Sequence, residues 1–234
     1  MHNTSPLPTI ATASDQADLL ASMGLTLDDI DQAIIDGLIQ FKKATKLHPV
    51  THAGVTAWGE TNATLRAKLI GKAIGWGYKH KAGLTITHNK KLGIAIIATS
   101  GDKDTGLLDG SPSTKNKKGP STRNIVTNNL TLDLFDEPSI NNSGIVHLHT
   151  SNIDPTQTWV LLYHIDIGRK EVRYELSLPD SIVQVQGQEG KLKIDNWKSR
   201  IIFEPLPFDG AATSTSQDEI DSTEEISFEV SKKE

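Results

Sequence analysis

The chain has no cysteine, and that absence removes disulfides, thiolate metal sites and cysteine nucleophiles together. It also lacks any apolar run approaching the roughly 20 residues needed to cross a bilayer. The opening segment MHNTSPLPTIATAS has neither a basic n-region nor an apolar h-region, so it does not read as a secretory signal. A cytoplasmic protein with no membrane partner is the resulting expectation. The standard catalytic and phosphate signatures are missing as well. Gly101 to Gly106 is followed by Leu107-Leu108 and not by Lys-Ser or Lys-Thr, so no P-loop forms, and neither GxGxxG nor GxSxG occurs. The Asp, ExK pattern of one nuclease class fails on Asp166, Glu171 and Glu175, because neither glutamate is followed two residues on by lysine.

What the chain does have is a segregated charge. Its net charge is −5 over 234 residues, yet residues 61–132 hold 12 basic and 3 acidic groups while the segments on either side are acidic. A basic block inside an acidic protein points to an anion-binding face, since local potential steers a charged ligand. Within that block, Ser100 to Arg123 runs without helix or strand periodicity, and loops beyond about 12 to 15 residues are commonly functional or disordered. This stretch combines Gly101, Gly106, Gly110 and Gly119 with seven Ser or Thr hydroxyls and the cations Lys103, Lys115, Lys117, Lys118 and Arg123. Glycines let backbone amides form an anion nest, and the lysines and hydroxyls suit phosphate oxygens.

The periodicity predicts an α+β protein with N-terminal helices packed on a largely antiparallel sheet: a polar arm over 1–13, one domain over 14–209 and a disordered acidic tail over 210–234. Thr26 with Asp29 forms a capping-box pattern ahead of a helix carrying Leu27, Ile30, Ile34, Leu38 and Phe41 on one stripe. Residues 49–60 read as a loop, and a second helix is expected from Thr61 or Asn62 to about residue 79, with Gly75 or Gly77 as an earlier alternative end. On such a helix Lys68, Lys72 and Lys79 form a stripe about 16 Å long, a ruler for a phosphate backbone. A hairpin over 84–99 follows, its second arm apolar enough for a strand buried on both faces. Residues 125–135 are open between helix and strand. Further strands are expected over 144–150, 158–166, 170–178, 182–186, 191–194 and 200–204.

Two metal arrangements arise. Asp102 and Asp104, two apart at the loop mouth, are a possible Mg²⁺ pair for phosphate chemistry. His147 and His149 share one strand face, with His164 a register-dependent third ligand. The runs Ala98 to Gly106 and Pro112 to Gly119 resemble an ATGDxxTG…PSTKxxKG pattern in a group of bacterial proteins with no assigned activity, and Asn62 to Gly77 extends the likeness. The resemblance implies that the loop is a site. The readings that follow are binding of nucleic acid or a nucleotide through the basic helix and loop, a metal-dependent phosphodiesterase or nuclease at Asp102 and Asp104, and a protein-interaction module working through the acidic tail.

Overall fold

Helices α1 (Ala13–Ser22), α2 (Leu27–Lys42) and α3 (His52–Gly71) follow one short strand and precede the other seven strands of a mixed, mostly antiparallel sheet of eight. The computed structural model describes residues 8–81, 84–116, 118, 122–129, 156–184 and 192–208. The strands are β1 (Thr9–Ile10), β2 (Trp76–Lys81), β3 (Leu84–Asn89), β4 (Ile94–Ser100), β5 (Gln157–Asp166), β6 (Glu171–Gln184), β7 (Leu192–Ile202) and β8 (Leu206–Pro207). A fourth helix, α4, spans 122–129. The sheet order is β1-β7-β6-β5-β4-β3-β2, with β8 also on β6. β4 runs parallel to β5 and β1 parallel to β7, and the remaining pairings are antiparallel.

Helix α2 starts at the expected capping box. The Thr26 amide donates to Asp29 Oδ2 at 2.7 Å, and the Asp29 amide donates to Thr26 Oγ1 at 3.3 Å. Its buried side carries Ile30, Ala33, Ile34, Gly37 and Leu38, while Leu27 stays exposed. Helix α3 begins at His52 inside the segment expected to be a loop, and it ends at Gly71, short of the expected 79. The misreading comes from Gly54 and Gly59, each costing about 1 kcal/mol relative to alanine in a helix. Packing offsets that cost. Ala53, Ala57, Thr61, Leu65 and Leu69 recur at fours along the buried face of α3. Gly37 of α2 lets this face approach so closely that a Cβ there would lie 2.1 Å from Thr61 Oγ1 and 3.0 Å from the Ala57 carbonyl oxygen.

The sheet is buried on both faces. Ile96, Ala98, Trp159, Leu161, Tyr163, Tyr174, Leu176 and Ile201 join the core beneath α1, α2 and α3. Val160, Leu162, Ile194 and Trp197 form a smaller core on the opposite face with Val126 of α4. Strand β6 merges the two strands expected at 170–178 and 182–186. Pro179 cannot donate to the ladder, and register shifts between Leu178 and Ile182 accommodate it without ending the strand. The arm contributes Thr9 and Ile10 to the sheet, paired with Ser199 and Arg200. The expected strand at 144–150 and the acidic tail at 210–234 lie outside the described residues. Among the described residues no helix is long and apolar enough to cross a membrane.

Candidate anion-binding site

The segment after β4 is a second layer laid over the sheet. From the end of β4 it crosses the face opposite α1, α2 and α3, held by a series of hydrogen bonds to strands β6 and β7. At its centre Glu175 and Arg200, both fully buried, form a bidentate ion pair: Arg200 Nε donates to Glu175 Oε1 at 3.1 Å and NH2 to Oε2 at 2.6 Å. The remaining capacity of each group goes to the loop. Glu175 Oε2 accepts the Gly106 amide at 2.8 Å, while Arg200 donates to the carbonyls of Gly110 and Leu107, both at 3.0 Å. Ser177 Oγ donates to Glu175 Oε1 at 2.7 Å, which leaves the buried carboxylate well supplied with donors. Trp197 Nε1 donates to the Pro112 carbonyl at 2.7 Å, and Thr114 pairs with Ile194 through its amide and its hydroxyl. Gly106 sits at φ +73°, and a Cβ there would come within 2.8 Å of Arg173 Cβ, so this glycine is needed for the layer to lie flat on β6.

Asp102 closes the layer on itself. Its Oδ2 accepts the Ser113 amide at 3.0 Å and the Ser113 hydroxyl at 2.7 Å, and its Oδ1 accepts the Asp104 amide at 3.2 Å. A carboxylate so engaged is a turn cap. No group of three or more metal-ligating side chains occurs among the described residues. His147 and His149 lie outside the described residues. His164 is there, half-buried, and burial together with the Arg173 guanidinium pushes its imidazole below the usual range, so it is neutral at pH 7.

The expected cations do not stand together. Lys68 stands on α3 and Lys72 caps its C-terminus, on the opposite side of the sheet from the 101–118 layer; both are ion-paired to α2, Lys68 with Asp28 and Lys72 with Asp29, and Lys72 also donates to the Gly24 carbonyl at 3.2 Å. They join two helices. Lys79, expected on the same helix, lies on β2 opposite Ile86 of β3, so the three lysines do not form one ruler. Lys103 and Lys115 are exposed on the covering layer and Arg123 is exposed on α4, and none of the three enters an ion pair among the described residues. Lys118 turns inward to the sheet, and Lys117 lies outside the described residues.

Sequence reasoning tested Glu175 only against a nuclease pattern and missed its pairing with Arg200, though a signal exists. Each is a charge on the buried phase of an apolar strand, in VRYELSL and in SRIIF, where a lone charge demands a partner. It also missed Asn129 at the end of α4. This buried side chain donates to the Thr158 carbonyl and accepts the Thr158 amide, both at 2.8 Å, pinning the helix to the start of β5. Comparison with protein-family models, with curated proteins and with solved structures returns no match.

Proposed function

We propose that the protein binds a phosphate-bearing ligand, a nucleotide or a short stretch of nucleic acid, on the solvent side of the 101–118 layer, with Lys103, Lys115 and Arg123 as the contacting cations. One observation carries the reading: Lys103 and Lys115 are exposed on a layer whose backbone at Gly106, Leu107 and Gly110 is fixed by a buried ion pair, Arg123 is exposed on α4, and none of the three has a carboxylate partner among the described residues. Preorganised charge binds at lower entropic cost than the same charge on a mobile loop. The surface needed is smaller than one that also enlists α3, because Lys68 and Lys72 are engaged by Asp28 and Asp29 on the other side of the sheet. The engagement of Asp102 within the layer favours binding over a Mg²⁺-dependent nuclease at Asp102 and Asp104.

Fluorescence anisotropy of a labelled ten-nucleotide single strand, titrated at several salt concentrations, tests this. Each lost phosphate contact lowers the slope of log K against log salt by about 0.7 on single strands. Replacing Lys103, Lys115 and Arg123 together by Ala is expected to weaken binding and lower that slope by about two. Lys68→Ala with Lys72→Ala is expected to leave the slope unchanged and lower the melting temperature. Absence of binding by both the oligonucleotide and ATP at low salt would overturn the proposal.

A further inference from the structure

Lys118 is the cation that the binding surface does not use. Its backbone is clamped to β7, its amide donating to the Leu192 carbonyl at 2.7 Å and its carbonyl accepting the Leu192 amide at 3.0 Å. Its side chain therefore has a fixed origin, and it runs inward to β4, where Nζ donates to Thr99 Oγ1 at 2.6 Å. Leu84, Ile97, Ile125, Val160 and Ile194 surround it with Thr122, enclosing a cavity of about 30 Å³. No carboxylate among the described residues pairs with this amine. Burial alone pushes it down to about 8 from an ordinary value of 10.5, since an unpaired ammonium is costly in an apolar setting.

A second observation at the same cavity is independent of the lysine. Thr122 is buried and its hydroxyl has no hydrogen-bond partner among the described residues. An unmet hydroxyl in a native interior calls for an explanation, and one that lines a void containing an amine is placed to meet a polar atom supplied from outside.

We propose that Lys118 is a nucleophilic amine that captures a small uncharged aldehyde as an imine, with the Thr99 and Thr122 hydroxyls serving the oxygen of the intermediate. The Nζ lone pair adds to the carbonyl carbon, the C=O π electrons move to oxygen, and the proton released by nitrogen ends on that oxygen as a carbinolamine. Loss of this hydroxyl with the remaining N–H proton, as water, leaves the C=N bond. Amine and aldehyde give imine and water, so no oxidant or reductant is required. The cavity is about two to three times the roughly 10 to 15 Å³ that one water requires, which limits the captured group to about two or three heavy atoms. Its five aliphatic walls select an uncharged chain over a carboxylate-bearing one. This site faces the sheet interior and is separate from the outward cations proposed above.

The experiment is reductive trapping on the native full-length chain at pH 7 with acetaldehyde and cyanoborohydride, followed by peptide mass mapping over time. A larger neutral fraction at Lys118 is expected to make its N-ethylation at least about tenfold faster than that of Lys103 or Lys115. Benzaldehyde, too bulky for the cavity, is expected to show no such preference. Thr122→Val is expected to slow labelling at Lys118 and leave Lys103 unchanged. Labelling of Lys118 no faster than that of Lys103 and Lys115 in the wild-type protein overturns the proposal, whether or not the valine variant folds.

Discussion

At the scale of single residues, Glu175 and Arg200 decide the most, because two charges taken wholly out of water must answer to each other and to the loop above them. Removing one partner of a buried pair strands the other, and such changes cost about 3 to 5 kcal/mol. Arg200→Met is accordingly expected to destabilise the protein by about that amount in urea unfolding and to open the 107–110 backbone to limited proteolysis. Replacing both residues by aliphatics, Glu175→Leu with Arg200→Met, is expected to cost less than the single change. A single variant as stable and protease-resistant as wild type would show that the layer is held by other contacts.

Lys118 offers a residue-scale test of a different kind. Its folded value of about 8 lies below its unfolded value of 10.5. Between these limits the unfolded chain holds a proton that the folded chain has released, so unfolding takes up a proton and raising the pH favours the folded state. The stability difference between wild type and Lys118→Met is thus expected to move in favour of wild type as pH climbs from 8 to 10.5, with no change below 8. Urea unfolding of both proteins at pH 7, 8, 9 and 10 reads this, since other titrating groups cancel in the comparison. A pH-independent difference would mean that solvent keeps the amine charged.

At the scale of elements, the glycines of α2 and α3 show why local sequence legibility ends where packing begins. The capping box of α2 was readable because its chemistry is contained in Thr26 and Asp29. The start of α3 was not, because Gly54 and Gly59 look the same in sequence as Gly37, yet a Cβ at either helix position meets nothing within 4 Å whereas one at Gly37 collides with Thr61. Three identical substitutions should therefore differ in sign. Gly54→Ala and Gly59→Ala are expected to stabilise by up to about 1 kcal/mol through helix propensity. Gly37→Ala is expected to destabilise by about 1 to 3 kcal/mol by forcing the helices apart. Thermal melts of the three variants decide it, and a stable Gly37→Ala protein would refute the close approach. Strand β6 repeats the lesson: Pro179 reads as a boundary, and only the bulge against β7 shows that the strand continues past it.

At the scale of the whole molecule, the class of fold and the continuous apolar character of β4 were legible, whereas the division of labour between the two faces of the sheet was not. The glycine, serine and lysine content of residues 100–123 is the same for a loop that cradles phosphate and for a cover that must lie close to strands and hydrogen-bond to their buried charges. Composition cannot separate these roles, because the distinction resides in Glu175, Trp197 and Arg200, far away in sequence. The lysine ruler fails for a local reason, since α3 ends at Gly71 and Lys79 lies on β2, while Lys68 and Lys115 stand on opposite sides of one sheet.

The parallel pairing of β1 with β7 also orders events in time. Thr9 and Ile10 leave the ribosome well before Ser199 and Arg200, which offer the hydrogen bonds that hold them. Closing so distant a contact has a high entropic cost before it brings any gain, and non-local strand pairings form slowly. Strand β1 therefore cannot take its place until β7 has emerged. Arg200, whose carbonyl receives the Ala11 amide and whose guanidinium grips the covering layer, is the residue at which β1 and the 101–118 layer are finally tied together.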